Sequence, residues 1–149
     1  MEKPMQFEQR PDDGLGGGNT EQTENIEDRL SFEWGPELGK MSWADAKEKI
    51  AELNKTLKED EKPWRLPSKE EWEEILKPFT EAKEKGVLEE ELQKILEEIR
   101  KTNNLQSCNY WSSSTYFDDS DDAWIVYMNY GNFYNDNKDH DDNLVRCVH

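Results

Sequence analysis

The sequence predicts an α+β domain in which helices precede a small, twisted antiparallel sheet. Three observations carry that expectation. Between Trp43 and Ile99 apolar residues recur at spacings of three and four, the period of helices laid against a core. From Cys108 onward they fall into short alternating runs broken by Gly, Asn and Asp, as in strands joined by turns. The helical block comes before the strand block, which is an α+β order.

A chain of 149 residues is the size of one domain with a tail. Charged residues make up 36% and hydrophobic ones 33%, so the core must be concentrated, and 6 Trp, 5 Tyr and 5 Phe are the side chains to fill it. A formal charge of -16 repels phosphate backbones and anionic lipid. Nucleic acid and membrane insertion are therefore not expected, and neutral or cationic partners stay open. No apolar segment approaches the roughly 20 residues that cross a bilayer. Met1 to Arg10 lacks the apolar stretch of a secretory signal, so a cytoplasmic or virion-borne protein is expected. Cys108 and Cys147 could pair if their strands met, but without a secretory signal free thiols are the expectation. With only His140 and His149 beside them, they offer no recognisable metal spacing.

Residues 1–30 carry 8 acidic against 3 basic side chains and a glycine run at Gly16 to Gly18. They read as a flexible acidic tail, with the domain over residues 31–149. Phe32 and Trp34 form a short strand that Gly35 and Pro36 should end. Ser42 caps a first helix whose stripe is Trp43, Ala46, Ile50, Leu53 and Leu57, closing near Lys58 to Lys62 before Pro63. Ser68-Lys-Glu-Glu71 is a capping box for a second helix with Trp72, Ile75, Leu76 and Phe79 inside, ended or kinked by Pro78. Past Gly86, Leu88, Leu92, Ile95, Leu96 and Ile99 mark a third helix that stops at Asn103 and Asn104. Strands follow at Tyr110 to Ser114, Ala123 to Tyr130 and Leu144 to Val148, with an acidic loop over Asp118 to Asp122. Gly131-Asn132 can turn a hairpin, and Phe133 starts its return.

The segments MSWADAKEKIAELNK, WRLPSKEEWEEIL, YWSSS, AWIVYMNYGNF and VRCVH, in that order, resemble the Lcl-type C-terminal domain family. The resemblance covers roughly Phe32 to His149, with much of the third helix as an insertion. It implies a C-type-lectin-like fold related to the formylglycine-generating-enzyme superfamily, from bacteria and phages, and hence phage-particle association as one location. Trp111, Trp124, Val126, Met128, Val145 and Cys147 would then face inward. Partly buried, Arg65 would pair with a carboxylate or cap backbone carbonyls. Neither cysteine lies in a catalytic motif of that superfamily, so no catalytic residue and no cofactor is expected. The Glu-Pro-Asn, Gln-Pro-Asp and Trp-Asn-Asp sets of calcium-dependent sugar sites do not occur. Asp118 to Asp122 and Asn135 to Asp141 offer oxygen atoms to calcium, but neither has the spacing of an EF-hand, and solvated acidic loops are the reading.

The run from Asn109 to Asn143 is the candidate for function: 24 of its 35 residues are Asn, Asp, Ser, Tyr or His. Tyrosine gives wide amphipathic contact at low entropic cost, while Asn, Ser and Asp adapt their hydrogen bonds. Alternation sends Tyr127 and Asn129 to the face opposite Trp124, Val126 and Met128. The turn adds Tyr130, Asn132, Tyr134 and Asn135. Tyr116 lies before the acidic loop, and Asn137, Asp139, His140 and Asp141 extend the patch. The same residues also read as a plain hydrophilic hairpin and loop. In the related superfamily, variable proteins of diversity-generating retroelements carry randomised residues of this composition in this region. The resemblance thus implies a display surface for an unknown protein or other macromolecular ligand. The competing expectation is a structural or accessory domain of a bacterial or phage surface assembly.

Overall fold

The computed structural model describes residues 30–149, so the acidic tail expected over 1–30 lies, up to residue 29, outside the described residues. In chain order the elements are β1 (Trp34–Met41), α1 (Trp43–Asn54), α2 (Lys69–Ile75), α3 (Lys77–Glu84), α4 (Glu89–Asn103), β2 (Asn109–Thr115), β3 (Asp122–Tyr127), β4 (Asn132–Asn137) and β5 (Asn143–Val148). The strands form one sheet in the order β1-β5-β2-β3-β4. The α+β expectation holds, with one correction: β2 and β5 run parallel, so the sheet is mixed.

The first strand does not stop at Gly35-Pro36. It continues to Met41 because β1 is an edge strand, where a proline lacking an N–H can face away from the ladder. Register shifts between Trp34 and Glu37 and between Glu37 and Gly39 absorb the irregularity. Helix α1 starts as expected, with Ser42 Oγ accepting from the Asp45 N–H. It ends at Asn54, earlier than Lys58 to Lys62, because Asn54 turns its amide to the backbone of Trp64. There Nδ2 donates to the Trp64 carbonyl at 2.9 Å and Oδ1 accepts from the Trp64 N–H at 2.7 Å. The clasp takes the place of further helix.

The capping box at Ser68 and Glu71 is complete. Leu76, just before Pro78, breaks the second stripe into α2 and α3, yet Trp72, Ile75, Leu76 and Phe79 all remain buried. Helix α4 ends where Asn104 enters the left-handed region with φ 55°. Arg146 then closes that end, donating from Nη1 to the carbonyls of Asn103 and Asn104 at 3.2 and 3.0 Å, and from Nε to the Gly35 carbonyl at 2.7 Å. Buried among these carbonyls, its guanidinium also lies 4.7 Å from the Trp34 ring.

Both faces of the sheet centre are covered, which is why all six residues of β5 are buried. One face packs Trp111, Ala123, Ile125, Val145 and Cys147 with Ala46 and Ile50 of α1. On the other, Tyr110 meets Trp72 of α2 at 5.3 Å between rings. Burial pushes the Tyr110 phenol above its usual range, and its hydroxyl donates to Glu37 at 2.9 Å. Of the six residues expected inward, Trp111, Val126, Met128, Val145 and Cys147 are buried, whereas Trp124 is only half-buried. Arg65 also departs from expectation. It is exposed, but pairs with Glu71 through two hydrogen bonds of 2.7 Å.

Candidate functional site

Strand β3 leaves the sheet earlier than alternation alone suggests. It ends at Tyr127, and Met128 to Gly131 form a four-residue turn in which Gly131 N–H returns to the Tyr127 carbonyl at 2.7 Å. Asn129 therefore sits in the turn and not beside Tyr127 on a strand face. The turn is seated from below: Arg100 of α4 donates to the Met128 carbonyl at 2.6 Å, and Met128 N–H bonds the Cys108 carbonyl at 3.1 Å.

Register decides which candidates meet. Tyr127 pairs with Asn132 and Ile125 with Tyr134, so Asn132 and Tyr134 share the α1-side face with Tyr127. The Tyr127 ring lies 4.9 Å from that of Tyr134 and 5.9 Å from that of Tyr130, and Asn132 Nδ2 donates to the Tyr134 hydroxyl at 3.2 Å. Tyr127 is half-buried against the α1-side core and supports its neighbours. Tyr130 and Tyr134 project from it, 61% and 48% exposed. The Oδ1 atoms of Asn129 and Asn132 are buried without a hydrogen-bond partner, leaving acceptor capacity in the turn. A groove of about 510 Å³ runs beside it between α3 and Gly131 to Phe133.

The remaining candidates do not join this cluster. Asn135 pairs with Trp124 and Asn137 with Asp122, which puts both on the opposite face. Asn135 Nδ2 is held by Asp122 Oδ2 at 2.7 Å. Further on, Asp136 is the organising residue of the 138–142 turn. Its carboxylate contacts His140 Nδ1 at 2.5 Å, the Asn137 N–H at 2.9 Å and the buried Asn143 amide at 2.8 Å. Asn137 Oδ1 accepts from the Asp139 N–H at 2.9 Å. Asn137 and His140 thus hold a loop together, while Asp139 and Asp141 are exposed on it.

Tyr116 belongs to a second aromatic group that the sequence reading did not assemble. Its ring lies 4.8 Å from both Phe117 and Trp124, and Phe117 stacks on Trp124 at 6.1 Å and 27°. Lys69 of α2 places its ammonium 4.8 Å from the Trp124 ring and 5.0 Å from that of Phe133. The available signal was Phe117 itself, an apolar ring next to an acidic run with no apolar neighbour at strand spacing on its C-terminal side.

Both thiols are free. Cys147 is buried, and that burial pushes its thiol up to about 11 although Arg146 pulls the other way, the surroundings of an inert core cysteine. Among the described residues no group of three or more His, Cys, Asp or Glu side chains is placed to hold a metal ion. Glu71 is held below the usual carboxylate range, chiefly by its hydrogen bonds from Arg65, so this pair is a structural lock between the 64–67 segment and α2.

Comparison with curated proteins gives no match. The model of the Lcl C-terminal domain, in contrast, matches residues 20–149, which takes in β1, all four helices and the whole sheet. The chain belongs to the Lcl C-terminal domain family.

Proposed function

We propose that the domain is a non-enzymatic binding module that takes a protein or other macromolecular ligand on the surface of Tyr127, Tyr130, Asn132 and Tyr134. The observation that carries this reading is the tyrosine cluster at the β3–β4 hairpin, with two of its three rings projecting to solvent. Exposed tyrosines that each brace on one half-buried tyrosine supply large, stiff contact area, and the asparagines of the turn supply adaptable donors and acceptors. Seating by Phe79, Arg100 and Cys108 keeps the turn fixed, which lowers the ordering cost of binding.

Diversification by a retroelement is the finer part of the proposal. Its support is composition and placement: Tyr130, Asn132 and Tyr134 are Asn- and Tyr-type positions on a turn and an edge strand, where replacement leaves Ala123, Ile125 and Val126 intact. A nearby template copy differing at adenines, beside a reverse transcriptase gene, is the expected genomic finding. Its absence removes diversification and leaves the binding reading standing.

Binding is tested by partner capture with the full chain, followed by Tyr130→Ala and Tyr134→Ala. Each variant is expected to lower affinity by about tenfold or more while the thermal midpoint stays put. Capture undiminished by both substitutions removes the hairpin surface from the binding reading, and absence of any captured partner favours a structural or accessory role.

A further inference from the structure

We infer a second recognition surface, on the face of the sheet opposite the tyrosine cluster, where Phe117, Trp124 and the Asp118–Asp122 loop receive an arginine- or lysine-bearing segment of a partner protein. This goes beyond the hairpin reading and depends on none of its residues.

Three features of the surface lead there. Phe117 is 75% exposed, the most exposed large hydrophobic side chain among the described residues, yet it is ordered by stacking on Trp124 and by the tilted ring of Tyr116, which itself meets Trp124 edge-on. An exposed ring held in place by two others is pre-organised for contact. Next, the loop that follows carries Asp118, Asp119, Asp121 and Asp122 and no basic residue. Asp119 and Asp122 are occupied within the fold, by the Asp121 N–H at 3.0 Å and by Asn135 at 2.7 Å. Asp118 and Asp121 have no side-chain partner among the described residues.

The third feature is that this region already attracts the chain's own cations. Lys69 sits over Trp124 and Phe133 while pairing with Glu73 at 2.8 Å. On the other side of the loop, Lys138 donates to the Ser120 carbonyl at 2.9 Å and to Thr115 Oγ1 at 3.1 Å. Ring faces and loop oxygens are thus each satisfied by an ammonium from within, and Phe117 with Asp118 and Asp121 forms the outer repeat of the same combination without one. A purely apolar partner would have to strip water from those carboxylates uncompensated. An anionic partner would meet a chain of formal charge -16. A cationic side chain gains from the ring and the carboxylates together.

The test is titration of the full chain with a short arginine–serine peptide and with its glutamine–serine counterpart, read by tryptophan fluorescence at low and physiological salt. The arginine peptide is expected to bind and the glutamine peptide not. Phe117→Ala should weaken binding about two- to fivefold, and Asp118→Asn with Asp121→Asn by a similar factor, about two- to fivefold. Tyr134→Ala should leave it unchanged, which separates this surface from the hairpin. Equal binding of both peptides overturns the proposal, as does arginine-peptide binding that Phe117→Ala does not weaken, which is diffuse attraction to net charge. Concentration-dependent dimerisation lost in Phe117→Ala, or neutral oligosaccharide binding with the arginine peptide inert, also overturns it by naming another occupant. Phe117 is largely exposed, so an unchanged melting temperature is the folding control.

Discussion

Gly131 lies so close to Phe79 that a β-carbon at this position would stand 2.5 Å from the ring's Cε2 atom. Its φ of +73° adds a second obstacle, since side-chain-bearing residues rarely adopt it. The turn that presents Tyr130 is therefore fitted directly onto α3. Gly131→Ala should destabilise the domain by about 1–3 kcal/mol, measured by urea unfolding. It should also loosen the hairpin, visible as faster amide exchange at Tyr130 and Asn132. Unchanged stability and exchange would mean that the ring swings aside at no cost.

The Arg65–Glu71 pair has a pH signature. Glu71 is held below its ordinary value of 4.5, first by the hydrogen bond from Arg65 and also by the Ser68 backbone N–H. A depressed carboxylate contributes stability that is fully present above its unfolded value and is lost as pH falls through the folded one. Unfolding free energy should accordingly decline as pH drops below about 4.5. Glu71→Gln should flatten that decline while costing about 1 kcal/mol at neutral pH through the weakened cap. A variant whose acid limb parallels the parent would place the titration elsewhere.

Asn54 closes α1 with two hydrogen bonds to the Trp64 backbone. Asn54→Ala leaves both backbone groups without that partner and should cost about 1–3 kcal/mol in thermal or chemical unfolding. The Trp64 ring stacks on His149 at 3.8 Å, so its fluorescence should change in the same variant. No change in either signal would show that water replaces the amide at no loss.

The two thiols should differ in reactivity. At pH 8 a thiol titrating near 11 is roughly one part in a thousand thiolate, and Cys147 is also shut from solvent. Alkylation followed by mass spectrometry should label half-buried Cys108 in the folded protein and Cys147 only on unfolding. Equal labelling of both would contradict the burial of β5.

Much of the fold was legible where a local rule had no competitor. The Ser68 box, the break before Pro78 and the left-handed stop at Asn104 each rest on backbone chemistry that neighbouring residues determine. The misreadings arise where a distant group intervenes. Pro36 reads as a stop until β1 is known to be an edge, and the end of α1 depends on Trp64, ten positions away. At the candidate surface, alternation gave the faces of Trp124 and Tyr127 correctly. It could not show that the strand breaks at Met128, where Cys108 and Arg100 capture the turn. Nor could it separate Tyr134 from Asn135, because cross-strand register sets their faces.

The placement of β5 between β1 and β2 has a consequence for the order of assembly. Arg146 reaches Gly35 across 111 positions of sequence, and the sheet's two halves are joined through this one strand. The β3–β4 hairpin can form locally while β1 still waits for β5, its neighbour among the described residues. Such long-range closure slows folding, and it exposes the unpaired flank of β2 until Asn143–Val148 arrives. The hairpin's tyrosines thus stand on an open scaffold until the last strand docks between β1 and β2.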